Sequence, residues 1–508
     1  MFGLPAGPAY SGPGHPVPKT NLNTVRIATW LAPPLGLFLL WRSSTVSLGR
    51  KLFGTLGILL YCLPYTALII FLLVRTTGLQ SEWRGGYVPA FTYRVTAPDF
   101  ARLEAHRRQQ PSSTSKSPAS TNQSYWTGFR GPGRDGRSEE QPILTAWPAS
   151  GLPLLWRQPC GGGYGSFAIA RGLAFTLEQR RENEVTVAYD IETGREIWTN
   201  GWAGHFSESM GGDGPRSTPT YHDGLVYVLG GEGEFRCLNA VDGTTVWRKN
   251  ILTEYSAPNL FYAESASPLV IDGKVILTPG GFPKNSVVAC DRLTGKTLWH
   301  SLGDPTAYSS PMLVRLAGQM QILTVTESRA VGLSVEDGKL LWQFPWVVQL
   351  KNRNVAQPVV LSSNRFLLSA GYFTGCAAIE VSPGPTGFIT QEVWRNKFLK
   401  NKFTSSVFLD GFVYGLDEDI LVCLDAQSGE RRWKGGRYGY GQVLLAGHHL
   451  VILTGDGQLA LVKAQPERHE EISRFQAIEG KTWNHPAIDH GRIFVRNAAE
   501  MACFKIAP

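Results

Sequence analysis

No CxxC occurs anywhere in this chain, and no cysteine pair stands beside a histidine pair at ligand spacing, so a structural zinc site has no donors. The 7 cysteines (62, 160, 237, 290, 376, 423 and 503) are odd in number. Cys237, Cys423 and Cys503 hold equivalent places in separate repeats, too far apart to bridge, and are expected to be buried small hydrophobes. HExxH is absent as well: His106, His205, His222, His300, His448, His449, His469, His485 and His490 are scattered. The glycine runs 161–163 and 211–214 lack the Lys-Ser/Thr of a phosphate loop and read as turns. Ser166 and Ser217 have no base in a fixed sequence relation. Basic residues are dispersed under a net charge of +8, so nucleic acid is not an implied partner.

What is present is a recurring aromatic residue. Trp156, Trp198, Trp247, Trp299, Trp342, Trp394 and Trp433, followed by Phe475, stand 39 to 52 residues apart, the period of a four-stranded propeller blade. A polar residue precedes the Trp by eight positions and a glycine by four, as in Asp190 with Gly194, Asn239 with Gly243, Asp291 with Gly295 and Asp425 with Gly429; Gly338 keeps the glycine place before Trp342. The Asp or Asn side chain starts a turn by bonding the backbone two residues on, and glycine accepts the positive φ that ends it. Trp then projects from one sheet face, where only the next blade can bury it.

A second signal lies upstream: a small or polar residue, a proline, an apolar run, then a turn. Thr218-Pro219 with Asp223-Gly224, Ser267-Pro268 with Asp272-Gly273, Ser310-Pro311, and His485-Pro486 with His490-Gly491 carry it. Two hairpins per repeat make four strands. Trp156 has no blade before it, and Ile493 to Ile506 has strands but no Trp after it, so 154–157 is predicted to supply the outer strand of the last blade. Eight blades close the ring and leave no open edge. Three repeats depart from the grammar: Ser334 replaces the acid in the fourth, 382–387 enlarges the turn of the fifth, and the seventh has Lys463 and a charged stretch at 467–471.

Residues 52–74 are 23 in a row without a charge, long enough to cross a hydrocarbon core of roughly 30 Å. The stretch reads as an uncleaved transmembrane helix. Residues 27–41 are apolar but short and contain Pro33-Pro34; they span, re-enter or lie at the interface. Arg42, Arg50 and Lys51 between the two segments favour a cytoplasmic loop, placing the rest in the periplasm of a bacterial inner membrane. The expected layout is a disordered Pro/Gly-rich tail over 1–26, the membrane segments at 27–41 and 52–74, a linker over 75–124, and an all-β, eight-bladed propeller over 125–508. Within the linker, Thr92 to Val95 is expected as a strand and Pro98 to Arg108 as a helix capped by Thr96.

The Asp-x-x-Thr-Gly-x-x-x-Trp pattern resembles the docking repeat of the PQQ-like propeller superfamily, which includes quinoprotein dehydrogenases and the propeller protein of the outer-membrane barrel-assembly machinery. The run Gly128-Phe-Arg-Gly-Pro-Gly-Arg-Asp-Gly136, with Trp147-Pro148 and Leu154-Leu155-Trp156, looks like the opening of membrane-anchored members. For the dehydrogenases, the resemblance implies a quinone held against a disulfide of adjacent cysteines, beside Ca²⁺ on carboxylate and amide oxygens. No two cysteines here are adjacent, and Glu208, Asp213 and Glu232 to Glu234 lie in glycine-rich loops near one end of blade two, where exposed acids are usually solvated. The expected function is a non-enzymatic envelope scaffold without cofactor or metal, binding a protein partner through rim loops such as 346–354, 395–402 and 437–440. The alternative is a PQQ- and calcium-dependent dehydrogenase feeding electrons to membrane quinone.

Overall fold

The computed structural model describes residues 22–31, 33–44, 46–77, 79–82, 90–93, 99–110 and 125–508, except 141, 149, 209, 210, 272, 351, 352 and 386. The chain divides into two compact units.

The N-terminal unit holds helices Leu22–Leu31, Pro33–Arg42 and Leu48–Thr77. Of the tail expected over 1–26, the part up to residue 21 lies outside the described residues, and 22–26 already belong to the first helix. Residues 27–41 fall across the first two helices, each of 10 residues and so about 15 Å long. The proline pair sits where the second helix starts, a place at which a missing N–H costs nothing. The third helix exceeds the expected span at both ends, and Leu48–Leu73 is long and apolar enough to cross a membrane by length and composition. Strands Leu79–Glu82 and Ala90–Tyr93 pair; Val95 and Thr96 lie outside the described residues. Helix Phe100–Gln109 belongs to the second unit, and its cap is Asp99, whose carboxylate accepts from the Arg102 N–H at 3.0 Å. Asp is short and its side-chain oxygen suits the positive end of the helix, so it takes the cap role expected of Thr96.

The second unit is an all-β propeller of eight blades, as the repeat predicts. Blades one to seven occupy 168–203, 220–250, 269–301, 312–345, 359–396, 407–437 and 442–476, each with four antiparallel strands in chain order. Blade eight takes three strands from 487–505 and its outer strand from Leu154–Pro159, with Cys503 directly opposite Trp156. The second and third strands of most blades are buried on both faces because blades stack face to face, whereas outer strands such as Thr245–Asn250 are partly exposed along their length. In every blade the third and fourth strands slip register beside the aromatic position, a bulge that bends the outer strand.

Across the blade interfaces, the indoles lie over the turn glycines of the following blade. A Cβ on Gly194 would stand 2.6 Å from Trp156, one on Gly243 2.4 Å from Trp198, and one on Gly295 2.7 Å from Trp247. Gly338 under Trp299 and Gly429 under Trp394 repeat the contact at 2.4 and 2.6 Å, so any side chain at these places would displace the ring. Most rings also donate their N–H across the interface: Trp156 to the Ile191 carbonyl at 2.9 Å, Trp198 to Ala240 at 3.1 Å, Trp247 to Arg292 at 3.0 Å, Trp394 to Ala426 at 3.1 Å and Trp433 to Gln465 at 2.8 Å. The turns are built by the acid. Asp190 Oδ1 accepts from the N–H groups of Glu192 and Thr193 while Gly194 adopts φ 67°. Asp291 with Gly295, and Asp425 with Gly429, build the same turn, the carboxylates accepting from Leu293 and Thr294 and from Gln427 and Ser428. Removing about 150 to 250 Å² per ring from water is worth on the order of 4 to 6 kcal/mol before entropy costs.

The irregular repeats adapt. In blade five the last hairpin runs on to Gly384 and Gly387, leaving no glycine under Trp342, which turns its N–H to Gln321 of its own blade and packs on Phe366 at 5.2 Å. Blade seven has four strands plus Arg137–Ser138 added in parallel at its inner edge. His469 covers Trp433 at 5.7 Å there, and Phe475 packs under Gly151 and Trp147. All 7 cysteines are free thiols and six are buried; Cys237, Cys423 and Cys503 stand opposite their Trp across the last hairpin.

Candidate binding site on the pore axis

The residues before the inner strands join one another around the pore. The backbone N–H of Ser166 donates to Thr218 Oγ1 at 2.9 Å, Thr218 to Ser267 Oγ at 2.9 Å, and Ser267 to Ser310 Oγ at 2.8 Å. Ser310 continues to Gln357 Oε1 at 2.8 Å, and Gln357 to Ser405 Oγ at 3.1 Å. Gln442 of blade seven then bridges the Phe403 and Trp483 carbonyls at 3.3 and 3.0 Å, and the Ser166 hydroxyl donates to His485 O at 2.6 Å. A hydroxyl before the proline is thus the acceptor that the preceding blade's buried amide requires.

One end of the pore is filled by the chain itself. The segment 125–138 passes up the axis from the face that carries the short hairpin turns: Ile169 and Tyr221 donate to the carbonyls of Trp126 and Thr127 at 2.7 and 2.8 Å. At its tip Arg134 donates to the carbonyls of Ser267 and Pro311, each at 3.0 Å, and to Pro268; Arg130 reaches Ser406 O at 3.0 Å and Val443 O at 3.3 Å. Burial lowers these guanidinium groups to about 10 for Arg130, despite Asp135 nearby, and to about 9 for Arg134. Their partners come from blades three, four, six and seven, so this segment pins opposite sides of the ring.

Above the plug, on the face formed by interblade loops, lies a cavity of about 180 Å³. Thr218, Ser310, Ser405 and His485 of the hydrogen-bonded belt form its floor. Its walls are Tyr164, Tyr262, Tyr308, Tyr372, Phe403 and Trp483, nearly one ring per loop. Tyr164 and Trp483 stack at 5.3 Å, and Phe403 meets Trp483 at 4.7 Å. Cations back these rings: Arg216 lies 4.9 Å from Tyr164, Arg353 4.2 Å from Tyr262, Lys402 4.7 Å from Tyr440 and Lys481 4.5 Å from Trp483. Arg216 is paired with buried Glu208 at 3.2 Å, yet burial still lowers it; Lys402 is opposed by burial but raised on balance by Glu418 and the Tyr440 hydroxyl. Burial, with Arg130 beneath, pushes His485 well below the usual imidazole range, so it is neutral at physiological pH. Its Nδ1 is buried with no hydrogen-bond partner among the described residues. Phe261, Phe282, Val347, Leu350 and Phe373 are exposed, Phe373 at 76%, and Phe261 and Phe373 stand next in sequence to the wall residues Tyr262 and Tyr372.

The residues singled out in the sequence disperse. Glu208 belongs to the pocket, Asp213 lies 3.7 Å from His205, and Glu234 pairs with Arg236 at 2.8 Å. Ser166 and Ser217 donate to backbone carbonyls in or beside the belt, which leaves neither aligned with a base. The expected rim loops are partly core: Trp346, Asn354, Tyr438 and Tyr440 are buried, because each fills the space where neighbouring loops converge, while Lys402 and Tyr440 flank the pocket. The pocket aromatics had no sequence signal beyond their place ahead of an inner strand, and Tyr372, in the turn between the second and third strands of blade five, lacked even that. Also unforeseen, Glu140, Asp489 and His490 bring three ligand atoms within 4.8 Å of one another. Glu140 there accepts from the His490 and Gly491 N–H groups at 2.7 and 2.8 Å, and Asp489 from Trp126 N at 3.2 Å, so the acids already serve to fasten the incoming chain.

The family model described as outer membrane protein assembly factor BamB matches residues 181–435. A protein of that description from Burkholderia pseudomallei (strain K96243) is 22% identical over 378 residues, covering 64% of this chain and 91% of the relative. Among solved structures, quinohemoprotein alcohol dehydrogenase ADHIIG from Pseudomonas putida HK5 aligns with a TM-score of 0.54 at 12% identity, over 81% of this chain and 82% of that one. BamB from Moraxella catarrhalis aligns with a TM-score of 0.47 at 15% identity, over 67% and 93%.

Proposed function

Because the chain belongs to the propeller family described as outer membrane protein assembly factor BamB, we propose that it is a non-enzymatic binding module of the bacterial envelope. It is held at the cytoplasmic membrane by helix Leu48–Thr77, with the propeller in the periplasm, and engages a protein partner through its interblade-loop face. The observation that carries this reading is the asymmetry of the pore. The 125–138 segment fills it from one side, while an aromatic cavity flanked by exposed Phe261 and Phe373 opens on the other. Exposed apolar clusters on a soluble unit mark interaction sites, and the basic residues Arg42, Arg50 and Lys51 support cytoplasmic retention of the preceding loop.

The residues present do not fit a quinone and calcium. Adjacent cysteines are lacking and all 7 thiols are free. Of the acids near the cavity, Glu208 is engaged by Arg216 and Glu418 by Lys402, while burial raises Glu264 to about 8 and so disfavours the charged form a cation needs. A cavity of about 180 Å³ is also smaller than the roughly 300 to 1,000 Å³ of cofactor sites. Turnover of alcohols or aldoses after addition of PQQ and Ca²⁺ would overturn the choice.

The direct test places a photo-crosslinking amino acid at Phe373 on the loop face and, separately, at exposed Asp242 on the opposite face. Capture of a discrete envelope protein from intact membranes at Phe373 and not at Asp242 is expected. Equal capture, or capture only at Asp242, contradicts the assignment.

A further inference from the structure

We propose that the axial pocket receives an aromatic side chain carried on an acidic segment of the partner polypeptide, an inference that rests on the binding reading above. Size sets the first limit. At about 180 Å³ the cavity is close to the roughly 150 Å³ that holds a benzene ring, so it takes one ring and little more. The walls match that content, since Tyr262, Tyr308, Tyr372 and Trp483 offer faces and edges to an inserted ring.

Charge sets the context of that ring. Arg216, Arg353 and Lys402 stand around the walls, and Arg130 and Arg134 lie below with carbonyl and hydroxyl partners and only Asp135 nearby. The facing acids, Glu208 and Glu418, are each matched by a cation of this set. The surplus is positive, so a segment bearing carboxylates on both sides of the ring is favoured and a basic one is repelled.

The test titrates the full-length chain, in detergent, with acetyl-Glu-Glu-Tyr-Glu-Glu-amide by calorimetry. Saturable binding is expected, weakened at least tenfold when the four glutamates are lysines, and at least tenfold when tyrosine is alanine. Arg353→Ser and Tyr372→Ala, both at the cavity wall, should each weaken it about tenfold with an unchanged thermal melt, whereas Arg468→Ser, far away on a hairpin turn, should not. Absence of binding, indifference to peptide charge, or equal affinity for free 4-hydroxyphenylacetate overturns the proposal. Phe373 crosslinks that survive Arg353→Ser and Tyr372→Ala overturn it while leaving the binding reading intact; loss of all Phe373 capture in the parent chain removes that reading itself.

Discussion

Glu264 lies in the loop that carries Tyr262 and Ser265 to the pocket, 1% exposed, with Oε1 unpartnered among the described residues. Burial alone raises its carboxyl to about 8. In the unfolded chain the same group ionises near 4.5. Between those values the unfolded state sheds a proton that the folded state keeps, so stability is fully present below about pH 4.5 and falls as pH rises toward 8. At about 1.36 kcal/mol per unit, the loss from pH 5 to pH 8 is about 3 to 4 kcal/mol from this residue. Glu184, raised by burial to about 7, adds to the same trend. Glu264→Gln has nothing to ionise. Urea unfolding followed by tryptophan fluorescence should show the variant gaining on the parent by about 3 kcal/mol between pH 5 and pH 8. A difference that stays constant with pH refutes the buried, uncompensated carboxyl.

Three further outcomes follow from the ring. Ser310→Ala removes the acceptor of the Ser267 N–H at 2.8 Å and should cost about 1 to 3 kcal/mol in the same unfolding assay, whereas an exposed serine such as Ser428 should cost little. Trp156→Ala should cost about 3 to 5 kcal/mol and speed proteolysis near residues 153–160, since it unfastens the strand that closes the ring; Trp156→Phe, losing chiefly the bond to Ile191, should cost about 1 to 2 kcal/mol. Gly243→Ala combines φ 73° with a Cβ 2.4 Å from Trp198 and should lower the melting temperature, while Gly224→Ala, at φ 79° with open space around it, should lower it less.

The blades were legible because their grammar is local. An Asp, a Gly and a Trp within nine residues specify a turn and its dock without knowledge of the neighbouring blade, and closure by 154–159 followed from matching two incomplete ends. The belt was half legible: Thr218, Ser267 and Ser310 stood out before prolines, but their acceptor role depends on amides 43 to 52 residues away. Arg130 and Arg134 were visible as part of an opening signature, yet their place in the pore is fixed by carbonyls from four blades. The pocket was illegible for a related reason. Five interblade loops give it one ring each and a turn within blade five gives the sixth, and no sequence window sees more than one of them. Within the surface expected at 346–354, Trp346 and Asn354 are buried by converging loops, whereas Val347 and Leu350 are exposed.

In the proposed function, the partner docks on the interblade-loop face, opposite the face from which the chain's own plug enters the pore. Hydrogen–deuterium exchange of the full chain, alone and with the protein captured from membranes, tests this division of faces most directly. Slowed exchange is expected in loops 204–217, 255–266, 302–309 and 371–374, with none gained at turns 190–194, 239–243 and 291–295. Protection confined to those turns would contradict it.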